Sequence, residues 1–284
     1  MIDLRQTKEY ANYLHLDGWI VERIDNVNYF LKKLPIVGYV LKIQRPERID
    51  FKVIDKLSQK YGIFQIIIEP KFEYQVSSIQ SHGYQLAKST YLPSKTLCID
   101  ISKSQKEIYS HFQRNIRTGV ARGKSFKTKV YSTPQDLKIF RNAWKSSVKF
   151  DRYVPSLESL LNLRKSFKQN KCIFLASHNI VGRIIGGVIF TITSHGVSNY
   201  ITFYNYGFIS NEGRSTLSMA SLLYQGILWG KEMGCKTFDF EGIYDERFPN
   251  KSWLGFTRFK KSFGGYEVLY SGTYTKTNWL NLFK

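Results

Sequence analysis

The order of strand-like and helix-like segments constrains this chain more than any single motif does. Residues 38–44 (GYVLKIQ) read as a strand, 50–61 as an amphipathic helix and 63–68 (IFQIII) as a buried strand. Residues 89–95, with Pro93, read as a linker. A second series opens with a strand at 96–101. Ser102 or Ser104 caps the helix that follows, and Glu107 completes a capping-box spacing with Ser104. That helix places Ile108, Phe112, Ile116 and Val120 on one side and Arg114 and Arg117 on the other. Helices at 134–149 and 156–168 precede strands at 172–177, 183–193 and 197–206. A helix over 215–233 then leads to a strand at 237–240, a short helix and a last strand at 266–270. Strand pairs followed by a helix and another strand, twice over, predict an α/β (α+β) chain of two related units, with mixed sheets flanked by helices. The expected units are residues 1–92 and 93–284, with the C-terminal segment placed to pack back on the first.

Charge separates the two parts. Of the net +20, residues 1–92 carry +3 and residues 93–284 carry +17. The stretch from Lys103 to Lys129 alone holds eight cations and one acid, Glu107. Such a field attracts polyanions: nucleic acid, an anionic membrane surface or a nucleotide-linked substrate. It equally suits a solvated basic surface. No apolar run approaches the length of a membrane span, and MIDLRQTKEY has no apolar signal core. Cys98, Cys172 and Cys235 have neither zinc spacing nor an even count for disulfides, so a reducing, cytoplasmic address is expected.

Near the C-terminus, GFTRFKKSFGG (255–265) packs three phenylalanines, three cations and three glycines into one short stretch. On a helical wheel Phe256, Phe259 and Phe263 share one stripe, the core-facing pattern. Arg258 and Lys261 point away from it. Lys260 lies only about 40° from Phe256 on that wheel, at the edge of the apolar face. In FDFEG (238–242), strand alternation sets Phe238 and Phe240 on one face and Asp239 and Glu241 on the other. Those carboxylates suit either a substrate- or lysine-positioning role or a strand end facing water. In TFYNYG (202–207), Tyr204 and Tyr206 share a face by the same alternation and suit either a polar cleft or plain core. Arg214 and Ser215 sit at a helix start. Phosphate-cradling and dinucleotide glycine motifs are missing, as is H-E-x-x-H, and the five histidines are scattered. A zinc enzyme or histidine-based hydrolase is therefore not expected.

The run GCKTFDFEGI, then GFTRFKKSFGG, then the strand ending YSGTY, resembles the C-terminal signature of the FemABX aminoacyltransferases, which add bridge amino acids to peptidoglycan precursors. TLCIDISKSQKEIYSHFQRNIRTGVARG is similar to that family's strand–helix element with its basic run, and IQRP (43–46) to a degraded form of its first-domain turn. The resemblance covers most of the chain and is closest to the armless, FemX-like members. It implies two tandem acetyltransferase-like (GNAT-type) domains, a reaction that requires no metal, thiol or redox cofactor, and a cytoplasmic role in cell-wall biogenesis and cell shape. An aminoacyl-tRNA ester would be attacked by the amine of a nucleotide- or lipid-linked muropeptide, on a monomeric enzyme with at most peripheral contact to an anionic membrane. By positional match it implies catalytic roles for Lys260, Phe259 and Asp239 and substrate contacts at Tyr204, Tyr206, Arg45 and Arg152. The tRNA backbone would fall to Arg114, Arg117, Arg122 and Lys124. Glu241 stands where the family usually keeps a glycine. Two rivals remain: an acyl-CoA-dependent N-acyltransferase of the same fold, although ISNEGRS (209–215) does not match the CoA pyrophosphate loop, and a non-catalytic basic module for RNA or membranes.

Overall fold

The computed structural model describes residues 2–123, 125–148, 152–167, 171–195 and 198–278. Two compact units account for them. The first comprises 1–95 together with 244–251 and 268–284, and the second comprises 96–243 and 252–267.

The first unit begins with α1 (Lys8–Leu16), capped by the Thr7 hydroxyl, and a meander of β1 (Ile20–Ile24), β2 (Val27–Leu34) and β3 (Gly38–Gln44). Helix α2 (Phe51–Tyr61) starts where Asp50 accepts the Val53 N–H and stops at Gly62, which takes a left-handed conformation. It crosses over to β4 (Ile63–Glu69), which pairs parallel with β3. After α3 (Gln75–Ser81) comes β5 (Gln85–Leu86). The sheet order is β1-β2-β3-β4, then β13 (Tyr274–Thr277), then β5, so a strand from the far end of the sequence completes it. Leu31, Leu41, Ile43, Ile54, Ile63 and Ile68 form its core. The expected linker at 89–95 is pinned instead: Leu92 N–H donates to Glu69, Ser94 donates to Asp245, and Ser94 O accepts from Tyr270 N–H.

The second unit runs β6 (Lys95–Asp100), α4 (Gln105–Ser110), α5 (Arg114–Gly123), β7 (Lys127–Val130), α6 (Pro134–Ser147), α7 (Leu157–Ser166), β8 (Cys172–His178), β9 (Ile184–His195) and β10 (Ser198–Ile209). It continues α8 (Asn211–Ser215), α9 (Ser218–Glu232), β11 (Thr237–Gly242), α10 (Leu254–Lys261) and β12 (Tyr266–Leu269). The sheet order is β12-β6-β11-β10-β9-β8-β7. One expected helix is broken in two. The helix after β6 splits around His111–Gln113, although Ser104 and Glu107 do form the capping box and Ile108, Phe112, Ile116 and Val120 are all buried. The helix expected from residue 215 starts at Ser218, after Leu217 at φ 59, and the short α8 precedes it. Among the described residues no helix is long and apolar enough to cross a membrane.

Candidate active site

Strands β10 and β11 pair in parallel only where Ile201, Thr202 and Phe203 face Thr237, Phe238 and Asp239. Both strands continue, so they part beyond Phe203 and Asp239. Helix α10 delivers Lys260 to this parting. The side chain is 8% exposed, and its Nζ donates to the Gly242 carbonyl at 2.6 Å. The ammonium also lies 5.0 Å from the ring centre of Phe256 and 5.6 Å from that of Tyr204. Burial pulls the lysine pKa down to about 8, against the opposing pull of Glu241 and Asp239. A cation is thus held dry, poised and braced by a main-chain carbonyl and two ring faces.

Asp239 shapes the strand end that presents this carbonyl. It is 4% exposed and accepts from Thr96 Oγ1 at 2.6 Å and from the Glu241 N–H at 2.7 Å. The pairing of β11 with β6 is irregular between Asp239 and Gly242, and Glu241 adopts φ 60. That is left-handed territory, uncomfortable for a glutamate and easy for glycine. Asp239 is therefore not on a water-facing strand end; its carboxylate stabilises an irregular turn of chain that aims Gly242 O at Lys260.

The two tyrosines do not share a face. Tyr204 pairs with Phe190 and Tyr206 with Ile189, leaving Asn205 as the extra residue of a bulge. The bulge flips the alternation. The Tyr204 ring packs on Phe190 at 5.9 Å, on the side of α9, with its hydroxyl pressed over Gly207, where a Cβ would lie 2.0 Å from the oxygen. Burial raises its pKa well above the ordinary tyrosine value. Tyr206 instead lies 5.6 Å from Trp144 of α6. Only Tyr204 joins the Lys260 group.

Other expectations divide. Phe263 is buried and Phe259 half-buried against it at 5.6 Å, but Phe256 is 38% exposed and covers the lysine rather than joining the core. Arg45, expected at the substrate, is buried within the first unit. It is 1% exposed, paired with Asp3 at 3.0 Å, bonded to the Pro93 carbonyl at 2.8 Å and stacked 3.6 Å over the Tyr270 ring. Its role in this geometry is to hold the first unit together. Arg152 is exposed in a bend before α7. Arg114, Arg117 and Arg122 are exposed on α5, but Arg117 is partly committed to the Phe112 carbonyl at 2.8 Å. Lys124 lies outside the described residues.

No protein-family model matches the sequence, and no curated protein matches it. Solved structures do. FemX superposes with a TM-score of 0.80 at 17% identity, covering 99% of this chain and 94% of its own. The chain has the FemX fold. L-PGS of Bacillus licheniformis follows at TM-score 0.60 and 13% identity, covering 93% of this chain and 85% of that one. A tandem GNAT protein from the clavulanic acid biosynthesis pathway, solved without AcCoA, gives 0.57 at 7% identity over 88% and 78%. The FemX fold seen here is accordingly two tandem GNAT-like domains with mixed sheets flanked by helices.

One candidate site had no signal in the sequence. In the first unit, Tyr10, Leu14, Trp19, Phe30, Tyr91 and Lys42 help line a cavity of about 230 Å³. The Lys42 ammonium lies 5.3 Å from the Trp19 ring centre and 5.0 Å from that of Tyr91, and it makes no ion pair among the described residues. Burial lowers its pKa despite the nearby Glu69. A half-buried cation in an aromatic cavity suits an anionic ligand. These residues lie on α1, the turn that follows it, β2, β3 and the segment after β5, too far apart in sequence to read as one group.

Proposed function

We propose that this chain is a FemABX-type aminoacyltransferase that moves an amino acid from aminoacyl-tRNA to the amine of a peptidoglycan-precursor stem peptide. The observation that carries this reading is Lys260. The acceptor nitrogen attacks the ester carbonyl, a C–N bond forms, the bond to the tRNA ribose oxygen breaks, and the ribose hydroxyl leaves with the proton the amine gives up. The negative charge that develops on the carbonyl oxygen needs a preorganised cation in a dry setting. Lys260 supplies one, with Tyr204 and Phe256 walling it and Asp239 setting the strand end it rests on. Alignment of the two substrates supplies much of the remaining rate.

The basic surface of α5 takes the tRNA backbone, and the Lys42 cavity takes the phosphate-bearing end of a nucleotide-linked acceptor. Support comes from the lopsided charge, from the shared fold with FemX, and from the motif resemblance at the C-terminus. The deciding experiment supplies purified protein with radiolabelled aminoacyl-tRNA and nucleotide-linked muropeptide, with acetyl-CoA as the rival donor. Label in the muropeptide, lost in Lys260→Ala, is the expected result. Transfer from acetyl-CoA alone would overturn the proposal.

A further inference from the structure

Within the second unit, Gln105, Lys106, Tyr109, Val120, Ala121 and Tyr224 line a groove of about 470 Å³ between α4, α5 and α9. Its walls are fixed. Gly119 and Gly123 let α5 lie hard against α9: a Cβ on Gly119 would sit 2.7 Å from Ala220 Cβ, and one on Gly123 would sit 2.0 Å from Ser221 Oγ. The Tyr109 and Tyr224 rings are 5.8 Å apart, and each rests on buried Phe112 at 5.6 Å. The Gln105 side chain lies beside the Tyr224 ring on the groove wall. Both rings remain half-exposed, so two oriented aromatic faces border the opening.

Lys106 is the cation among the lining residues, and α5 carries further cations along its length. Lys106, Arg114 and Arg122 are exposed and make no ion pair among the described residues. Glu107, the one acid between Lys103 and Lys129, is tied to the Ser104 hydroxyl and N–H as the capping box. Phe112 also touches Phe263 at 5.1 Å, and Phe263 touches Phe259 at 5.6 Å, so the groove floor and the helix carrying Lys260 share one aromatic cluster.

We propose that this groove binds an unpaired nucleotide of an RNA, its base stacked on Tyr109 or Tyr224 and its phosphate facing Lys106. Fixed aromatic faces beside unpaired cations are the means by which proteins hold single-stranded nucleic acid without reading a sequence. An acyl chain would meet tyrosine hydroxyls and a glutamine amide here. An acidic peptide would use the cations but leave the ring faces idle. The inference rests on the aminoacyl-tRNA reading and narrows it: the α5 surface takes paired backbone, and the groove takes a nucleotide outside the duplex.

The test is fluorescence anisotropy with two labelled RNA hairpins of the same stem, one blunt and one with a short 3′ single-stranded overhang. The protein should prefer the overhang. Tyr224→Leu and Ala121→Trp, the second filling the groove from an exposed helix position, should each weaken overhang binding by about 5- to 150-fold and leave blunt binding unchanged. Tyr224→Phe keeps the ring and should retain the preference. Equal binding of both hairpins, or an overhang preference that survives Tyr224→Leu and Ala121→Trp, would overturn the groove and leave the RNA donor standing. Binding of neither hairpin would remove both.

Discussion

The ammonium of Lys260 and the main-chain oxygen of Gly242 lie 2.6 Å apart at the point where β10 and β11 separate. A carbonyl stabilises an ammonium without neutralising it, so the positive charge stays available to a reacting group. Asp239 holds the chain irregularity that turns this carbonyl inward, one step back from the lysine. The site is an electrostatic device mounted on a strand end, with its acid used for shape.

Depression of Lys260 from the ordinary 10.5 to about 8 has consequences of opposite sign for stability and activity. The folded protein gives up this proton before the unfolded chain does. Below pH 8 both states are protonated, and burial of the charge costs up to about 3 kcal/mol. The cost is relieved as pH rises from about 8 to 10.5, so stability from this group increases across that window. Activity that needs the ammonium should instead fall, with an apparent pKa near 8 in kcat/KM. Lys260→Met should melt higher at pH 7 while losing on the order of 10²-fold or more in turnover. A variant with near-normal turnover would remove the lysine from catalysis.

Glu241→Gly tests the strand end. Glycine accepts φ 60 without strain, which should stabilise the fold by about 1 kcal/mol. The substitution also removes a carboxylate that holds the Lys260 pKa up. The alkaline limb of the rate profile should therefore move to lower pH while the melting temperature rises. A limb that stays in place would show that Glu241 does not act on Lys260.

How much of this was legible in the sequence depends on the range of the forces involved. The helix at 254–261 and the flank position of Lys260 are written in local periodicity, and the capping box at Ser104 and Glu107 is written in local spacing. The bulge at Asn205 is not, because it belongs to the pairing of β10 with β9, and it separates two tyrosines that strict alternation puts together. Phe256 fits the core stripe yet lies 38% exposed, because the stripe meets a lysine rather than more core. Strand β13 is short and polar, and only its partners β4 and β5 make it a strand.

Arg45 offers a sharp contrast between a binding role and a structural one. Burial alone would raise the Asp3 carboxyl, but Arg5 and Arg45 outweigh it and hold it below the usual range. Arg45→Met leaves Asp3 buried without this partner and should cost about 3–5 kcal/mol. Stability from Asp3 is present above its unfolded pKa and is lost as pH falls through the folded one, so the variant should lose much of this acid-sensitive component. Denaturant titration at pH 7 and pH 3 measures both. Intact stability with a raised KM would return Arg45 to the substrate.

The α5 arginines differ in what they are free to do. Arg114 and Arg122 are exposed and make no ion pair among the described residues, whereas Arg117 holds the Phe112 carbonyl. Replacing both Arg114 and Arg122 with alanine should lower the slope of log K against log salt for a tRNA duplex by about 1.8 and weaken all sequences alike. Arg117→Ala should chiefly lower the melting temperature. An unchanged slope in the double variant would place the tRNA elsewhere on the surface.

Lys42 supplies the last test, because a functional lysine and a structural one predict opposite pairs of results. Its pKa is lowered by burial, so at neutral pH the ammonium is a burden to the fold, relieved only as pH rises toward the unfolded value. Lys42→Met keeps the stem that packs between Trp19 and Tyr91 and removes the charge. The variant should therefore melt higher than the parent at pH 7. If the cavity holds the phosphate end of the acceptor, the same change should raise KM for the nucleotide-linked muropeptide by about 10- to 150-fold with little effect on kcat. Higher stability with an unchanged KM would mean that the acceptor binds without this cavity. Lower stability would mean that the two aromatic rings need the cation more than any ligand does.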